Sequence, residues 1–275
     1  VPALEVLNQV SSGAIPAGWD YVGYWGGTIP VASLAGSMPF GPGPDLFVGW
    51  MWEGGGMEIV QKAYDELNVK MLPCHVTAPE PGGWFNTEIT GPEDFQGLNI
   101  RIGGLGGEIL AKLGANAMSL PAGEISTSLE TGRLDATELS FPLVDKLLGF
   151  DEVAKNYYFP GWHQPAGFIE FYMNKDKWDG LTDAQRTAIE VSCNDANLYA
   201  LGVAAGAQSA VLEEFRANGV SVARFPDSVM EALRAAADEV YAEKSAGDEM
   251  FKRVIDSYRA YATSYNEYQA LSDLN

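Results

Sequence analysis

Residues 97–108 read GLNIRIGGLGGE, a short apolar run that leads into a cluster of glycines. The run predicts a strand over 98–102, and the glycines predict a tight turn into a helix over 108–113. A dinucleotide-binding loop would need a third glycine where Ile109 stands. The segment therefore indicates a strand–turn–helix unit of an α/β protein and departs from the cofactor fingerprint.

The alternation of strands and helices continues on both sides of this unit. Strands are predicted over 69–76 and 134–138, separated by helical segments. From residue 181 onward the pattern is almost entirely helical, and Thr182 with Gln185 matches a capping box. The sequence thus predicts an α/β fold with covered sheets and a last third of helices that brace the earlier elements.

Length and charge limit the classes of protein that the chain can represent. At 275 residues and 29.6 kDa, it can form one large domain or two lobes. The net charge of −20 would repel nucleic acid and anionic membrane surfaces. The sequence contains no apolar run of about 18 residues, so it predicts no transmembrane helix. Because 17 basic residues face 37 acidic ones, an anion-binding site needs a specifically placed cation.

Arg101 is the candidate for that cation. Alternation along its strand puts Ile100 and Ile102 on one face and Arg101 on the other. A cation inside a short apolar strand must be paired, and a planar guanidinium suits a carboxylate. The partner is either a ligand carboxylate or an acid of the protein, as in a structural salt bridge.

Three oxygen-bearing side chains stand at the ends of predicted elements, next to turn residues or prolines. They are Glu80, Glu138 and Gln164. Carboxylate and amide oxygens are the ligands of hard cations such as Ca²⁺ or Na⁺. Because the chain is so acidic, the alternative interpretation is that these three side chains are solvated loop residues without a ligand.

Aromatic residues cluster near the same loop ends, where they suit either a ligand cavity or the core. We take at least half of them to be core residues. They are Tyr24, Trp25, Trp84, Phe85, Phe141, Phe159 and Trp162.

Motifs for nucleophilic catalysis are missing from the sequence. Gly-x-Ser-x-Gly is absent, and neither Cys74 nor Cys193 lies in a catalytic signature. The histidines, His75 and His163, could act as bases, but no nucleophile stands near either one. The sequence favours a binding protein over an enzyme, and a hydrolase with paired carboxylates is the weaker alternative.

The two cysteines are too few for a zinc site and do not match a CxxC motif. They can pair in an oxidising compartment or remain as buried thiols. We predict that Cys74 and Cys193 are buried and unpaired.

Several stretches besides 97–108 are distinctive: GGWF at 82–85, LPAGEI at 120–125, LDATE at 134–138 and YYFPGWHQP at 157–165. With these stretches the chain resembles the substrate-binding proteins of TRAP transporters. The resemblance is to the DctP-like family, in the subgroup that binds 2-oxo and 2-hydroxy acids. It covers nearly the whole chain.

The resemblance implies a two-lobed periplasmic binding protein fold that encloses its ligand when the lobes close. Lobe I would be 1–90, without a segment that relatives carry before it, and lobe II would be 91–174. Long helices at 175–275 would brace both lobes. Helix 248–268 would either exchange between the subunits of a homodimer or pack on its own lobe. The implied location is the periplasm, with a signal peptide removed before the given chain begins.

The resemblance also implies the ligand site. Arg101 would clamp the ligand carboxylate, and a metal ion, Ca²⁺ or Na⁺, would bridge ligand and protein. The metal ligands would be Glu80, Glu138, Gln164 and the backbone carbonyl of Leu139. The walls around the ligand tail would be Tyr24, Trp84, Phe141 and Phe159.

Two features depart from the family pattern. Glutamine usually stands where this chain has Glu80, and glutamate where it has Gln164, so the exchange keeps the number of carboxylates at a shared metal. Tryptophan usually stands at Leu139, so the cavity wall is altered and widened there.

The predicted function is an extracytoplasmic solute-binding protein that delivers a small monocarboxylate, such as pyruvate or lactate, to TRAP membrane permease subunits. One alternative is a metal-free binding protein for another organic acid. A second is an enzyme that uses Glu138 or Glu80 as a base on an enclosed acid.

Overall fold

The fold is built from nine strands and twelve α-helices within the described part of the chain. The computed structural model describes residues 1–272, and at 205 the backbone only. The strands are β1 (Ala17–Tyr21), β2 (Val69–Thr77), β3 (Gly83–Phe85), β4 (Asn99–Arg101), β5 (Asn116–Met118), β6 (Ala136–Thr137), β7 (Asn156–Phe159), β8 (Gly167–Asn174) and β9 (Ser221–Arg224). The helices are α1 (Val6–Ser11), α2 (Pro30–Gly36), α3 (Pro44–Glu53), α4 (Gly56–Asp65), α5 (Gly104–Lys112), α6 (Ile125–Glu130), α7 (Pro142–Leu147), α8 (Phe150–Val153), α9 (Lys175–Asp179), α10 (Asp183–Ala217), α11 (Asp227–Gly247) and α12 (Glu249–Ser272).

Two separate sheets organise these elements. The first has three antiparallel strands in the order β1-β8-β2. The second has six strands in the order β5-β4-β6-β3-β7-β9, with both parallel and antiparallel neighbours. Helices pack against both sheets, which confirms the predicted α/β class.

The chain passes between the two sheets at three places. Two of the connections are short, and we call them the crossing segments, 78–82 and 160–166; the third runs from β8 to β9 through α9 and α10. It leaves the three-stranded sheet after Thr77 and returns to it at Gly167. As a result, β3 lies in the six-stranded sheet and β8 in the three-stranded one. The predicted lobe boundaries at 90 and 174 treated each lobe as one continuous stretch of chain. The points at which the chain changes sheet therefore do not coincide with them.

The glycine-rich unit forms as predicted, but its helix begins earlier. Strand β4 is followed by α5, whose first residue is Gly104 and not residue 108. The small residues allow this first turn to pack closely, since a Cβ on Gly106 would lie 2.8 Å from Cδ1 of Ile102. Three of the four glycines thus belong to the helix, with Gly103 as its N-cap, and they bring the helix close to the end of the strand that carries Arg101.

Long helices connect the two sheets, as the sequence predicts. Helix α10 spans 35 residues, starts with the predicted capping box of Thr182 and Gln185, and contacts β2 as well as α7 and β9. Helix α12 packs on α2, α3, α4 and α11 of its own chain, and its exchange within a homodimer stays a prediction. No helix in residues 1–272 is long and apolar enough to cross a bilayer.

Cys74 of β2 and Cys193 of α10 form a disulfide bond. The prediction of unpaired thiols was wrong, because α10 lies along β2 and brings together two cysteines that are 119 positions apart. One turn further along the helix, the Asn197 side chain donates a hydrogen bond to the carbonyl oxygen of Pro73 at 3.0 Å. The disulfide therefore links the longest helix to the three-stranded sheet. Such bonds persist in oxidising compartments.

Glu170 is an acid in the core beneath the three-stranded sheet. It is completely buried and pairs in register with Asp20 across β1 and β8. The Tyr64 hydroxyl donates to its Oε2 at 2.8 Å, whereas Oε1 has no hydrogen-bond partner among the described residues. Burial raises the pKa of Glu170 to about 8 and that of Asp20 to about 6. Glu170 is therefore largely protonated at neutral pH.

We expect this buried acid to make the free energy of unfolding depend on pH. Folding raises the pKa of Glu170. Its contribution to the free energy of unfolding is therefore complete below the ordinary pKa near 4.5 and is lost as pH rises through about 8. Glu170→Gln should remove on the order of 2 to 4 kcal/mol of the stability loss between pH 5 and 9. Urea unfolding across this range measures it, with the exposed-site variant Glu88→Gln as control. Parallel pH profiles for Glu170→Gln and the natural protein would contradict the expectation.

Candidate functional site

A cavity of about 360 Å³ lies between the two sheets, beside the crossing segments. The three-stranded sheet contributes Trp19, Tyr21, His75, Thr77 and Ile169, and α2 is followed by Ser37, which also lines the cavity. The remaining walls are Tyr24, Glu80, Arg101, Gly103, Glu138, Leu139, Ser140, Phe141, Val144, His163 and Gln164. Residues from both sheets thus enclose one space.

The two crossing segments are hydrogen-bonded to each other at the cavity. The Glu80 N–H donates to the Gln164 carbonyl at 3.2 Å, and the Gly161 N–H donates to the Glu80 carbonyl at 2.8 Å. A Cβ at Gly161 would lie 2.1 Å from that same carbonyl oxygen, so only glycine permits the approach. This contact holds Glu80 and Gln164 side by side.

Arg101 and Glu138 form a buried ion pair at the ends of two neighbouring strands. Parallel pairing of β4 with β6 sets Arg101 opposite Thr137, and Glu138 follows directly. Arg101 Nη1 donates to Glu138 Oε1 at 2.9 Å and to the Glu138 carbonyl at 2.5 Å, while Nε donates to the Leu120 carbonyl at 3.3 Å. No described residue accepts a hydrogen bond from Nη2. The arginine is thus anchored by the protein and still has donors for a further anion.

His163 completes a buried charged cluster. Its Nε2 lies 3.3 Å from Glu138 Oε2 and 3.7 Å from Glu80 Oε2, and the residue is 2% exposed. Burial alone would lower the pKa of His163, but the adjacent Glu138 and Glu80 raise it to about 9. The sequence suggested His163 only as a possible base; its place next to Gln164 in the GWHQP stretch was the available signal.

The two glutamates respond differently to this environment. Burial is the largest influence on Glu80 and raises the pKa of its carboxyl group. Burial would also raise the pKa of Glu138, but the Arg101 guanidinium and the His163 ring lower it below its ordinary value. Glu138 is therefore ionised, whereas burial favours the protonated form of Glu80, which a bound cation would convert to the carboxylate.

The cavity brings together seven of the nine side chains that the sequence selected, namely Tyr24, Glu80, Arg101, Glu138, Leu139, Phe141 and Gln164. Trp84 and Phe159 do not line it. Trp84 is fully buried, stacks on Tyr157 with ring centroids 3.9 Å apart, and donates to Asp145 Oδ2 at 2.9 Å. Phe159 also packs on Tyr157. Both belong to the core behind the site, so we no longer assign them to the ligand.

Sequence reasoning missed the contribution of β1 to the site. Tyr21 donates a hydrogen bond from its hydroxyl to Gln164 Oε1 at 2.7 Å, and its ring packs edge-on against Tyr24. Trp19 lies two residues earlier on the same face of the strand. Alternation along the strand-like segment could have placed both residues together, but it does not show which face meets a cavity.

The donor set of this cluster fits a hard cation. Ligand atoms of Glu80, Glu138 and His163 all lie within 4.8 Å of one another. Because a protonated His163 has no free electron pair for a metal, the oxygen atoms would hold the cation. Glu80 Oε2 is buried without a hydrogen-bond partner in the described residues. Two carboxylates and the nearby Gln164 amide oxygen are ligands that Ca²⁺ and Na⁺ accept.

Two sheets, two crossing segments and an enclosed cavity with a buried arginine are the architecture of a solute-binding protein. The chain belongs to the DctP family, described as bacterial extracellular solute-binding protein, family 7, which matches residues 1–248.

Three individual proteins resemble the chain over most of its length. The monocarboxylate 2-oxoacid-binding periplasmic protein of Nostoc sp. is 31% identical over 275 residues, which is all of this chain and 76% of that protein. A TRAP periplasmic solute-binding protein from Colwellia psychrerythraea, solved with bound calcium and pyruvate, is 33% identical with a TM-score of 0.93, covering 98% of this chain and 83% of that one. One from Pseudoalteromonas atlantica, solved with sodium and pyruvate, is 31% identical with a TM-score of 0.93, covering 98% and 82%. These likenesses confirm the predicted two-lobed fold class.

Proposed function

We propose that this protein is the extracytoplasmic receptor of a TRAP transporter and binds a small 2-oxo or 2-hydroxy monocarboxylate together with a hard cation. The observation that carries the proposal is the buried Arg101, which keeps free guanidinium donors in an enclosed cavity although Glu138 already pairs with it. The ligand carboxylate would meet these donors. The name of the Nostoc relative and the pyruvate in the two solved relatives support this ligand class.

Charge balance explains why a cation accompanies the acid. With Glu80 ionised, Glu80 and Glu138 bring two negative charges, and the ligand carboxylate adds a third in a site shielded from water. Arg101 and a protonated His163 can neutralise only two of them. A bound Ca²⁺ or Na⁺ would supply the missing positive charge to the ligand carboxylate and the 2-oxygen. Glu80, Glu138, Gln164 and the carbonyl of Leu139 would hold it.

The exchange of Glu80 and Gln164 relative to the family pattern gives a sharp test of this cation site. Glu80→Gln should weaken binding of pyruvate in the presence of Ca²⁺ about tenfold or more, because one carboxylate is lost from the site. The double variant Glu80→Gln, Gln164→Glu should recover to within about threefold, because the carboxylate count is restored beside the same backbone contact. Calorimetric titration measures both. Failure of the double variant to recover, with its fold intact by circular dichroism, would count against a shared cation.

Removal of the cation is a second test of the proposed function. Pyruvate with Ca²⁺ should raise the melting temperature of the dialysed protein, since a ligand that binds only the folded state stabilises it. An excess of chelator should abolish most of that rise, and added Ca²⁺ should restore it. An equal rise with and without chelator would instead support a metal-free binding protein.

Within this proposal the protein is a receptor and not an enzyme. The two carboxylates are occupied in holding charge, and a receptor releases its ligand unaltered to the membrane permease subunits. Incubation with pyruvate followed by mass spectrometry of the small molecules should return pyruvate alone. Time-dependent product that disappears in Glu138→Gln would favour an enzyme.

The proposed location is the periplasm, which the Cys74–Cys193 disulfide supports because such bonds persist in oxidising compartments. The two sheets would belong to the two lobes, and the crossing segments 78–82 and 160–166 would form part of the hinge between them. Ligand and cation would then stabilise the closed state by binding it more tightly than the open one.

A further inference from the structure

The cavity has a polar part and an apolar part. Arg101, Glu80, Glu138, His163 and Gln164 form the charged and hydrogen-bonding part described above. The apolar part is formed by Trp19, His75, Leu139, Phe141, Val144 and Ile169. Three of these residues come from the three-stranded sheet, and three from the segment that follows β6 and enters α7.

The strand register shows how the apolar part extends from the polar one. Tyr21 and His75 both pair with Ile169, from opposite sides of β8. The Tyr21 hydroxyl is bonded to Gln164, so this rung borders the charged cluster. Trp19 lies two residues further along β1, its ring 6.3 Å from that of His75, and is 56% exposed. The apolar part thus runs from the cluster along the strands to the mouth at Trp19.

The cavity is larger than pyruvate requires. Its volume is about 360 Å³. Pyruvate has six non-hydrogen atoms and the proposed cation adds one more; at about 30 Å³ for each, the share of a water molecule in the liquid, together they fill somewhat more than half of such a space. The unfilled remainder would be the apolar part, where water has few hydrogen-bonding partners. An apolar substituent on the ligand would replace that water favourably.

The charges of the lining residues argue against a second carboxylate on the ligand. Arg101 is the one lysine or arginine among the described lining residues, and it lies in the polar part. His75, in the apolar part, has its pKa lowered by burial and is neutral at pH 7. A distal carboxylate would therefore lose water without gaining a cation.

We infer that the site selects 2-oxo monocarboxylates with a branched or aromatic tail, of the size of 4-methyl-2-oxopentanoate or phenylpyruvate, over pyruvate. The inference rests on the proposed function, because it assumes that Arg101 holds the carboxylate. The tail would lie between Val144 and Phe141 on one side and Ile169 and Trp19 on the other.

A calorimetric series tests the inference with the natural protein in saturating Ca²⁺. The acids are pyruvate, 2-oxobutanoate, 4-methyl-2-oxopentanoate, phenylpyruvate and the dicarboxylate 2-oxoglutarate. The dissociation constant should fall at least about tenfold from pyruvate to 4-methyl-2-oxopentanoate, since each methylene in a fitting apolar pocket improves binding. Equal binding of all monocarboxylates, or tighter binding of pyruvate, would overturn the inference and leave the proposed function standing. Tightest binding of 2-oxoglutarate, or absence of binding by every acid, would overturn both.

A matched pair of variants locates the selectivity. Val144→Phe narrows the apolar part and should reduce the preference for 4-methyl-2-oxopentanoate over pyruvate about tenfold or more. Val203→Phe makes the same change on the exposed surface of α10 and should leave the preference as it is. An unchanged preference in Val144→Phe would place the tail elsewhere and overturn the inference.

Discussion

Replacing Arg101 with alanine is expected to weaken the binding of 2-oxo acids by roughly 100- to 1000-fold, because the ligand carboxylate would be enclosed without its cation. The residue is 4% exposed, and water in the space left by the guanidinium would not supply the lost positive charge. Calorimetric titration at a fixed Ca²⁺ concentration measures the change. Arg101→Lys keeps the charge but loses the planar fork and should fall between the alanine variant and the natural protein.

A control is needed because Arg101 also stabilises the protein. Its loss leaves Glu138 buried beside Glu80, with Gly103 N–H and His163 as remaining partners, so the free energy of unfolding should fall as well. Circular dichroism shows whether the variant is folded at the titration temperature. Arg133→Ala, at an exposed position, should bind as the natural protein does. Binding by folded Arg101→Ala within about threefold of the natural protein would remove Arg101 from the site.

Loss of the Cys74–Cys193 disulfide is the second change with a large expected effect. The bond closes a loop across 119 positions, so replacing both cysteines with alanine should lower the free energy of unfolding by about 2 to 5 kcal/mol. Urea unfolding under non-reducing conditions measures it. The natural protein in reductant should show a similar loss, and the double variant should lose nothing further. Equal stability of the oxidised and reduced natural protein would show that α10 is held on β2 by packing alone.

The sequence predicted those parts of the fold that depend on neighbouring residues. The apolar run before the glycines became β4, and the capping box at Thr182 became the start of α10. The disulfide and the assignment of β8 to the first sheet depend on contacts between distant parts of the chain. Sequence patterns over neighbouring residues do not predict such contacts. The boundary of α5 was misplaced because glycines predict a turn, whereas close packing on Ile102 favours a helix there.

The sequence allowed the charged residues of the site to be predicted, but it did not show which aromatic residues line the cavity. Arg101 is the last residue of β4 and Glu138 directly follows β6, and strands that pair in parallel bring their ends together. Trp84 and Tyr21 both occupy strands, and their sequence neighbourhoods do not show that the first faces the core and the second the cavity. His163 was underestimated because its pKa and its role arise from two acids that are distant in sequence.

Recognition of a 2-oxo acid is tested most directly by one comparison, the ratio of the affinities for 2-oxobutanoate and butanoate in saturating Ca²⁺. The two acids have the same carboxylate and the same tail, and they differ only in the 2-oxygen that the cation would meet. The predicted result is saturable one-to-one binding of 2-oxobutanoate at least about tenfold tighter than that of butanoate, since a site built for the oxygen rejects the analogue without it. Equal affinities, or binding of neither acid, would contradict the proposed function.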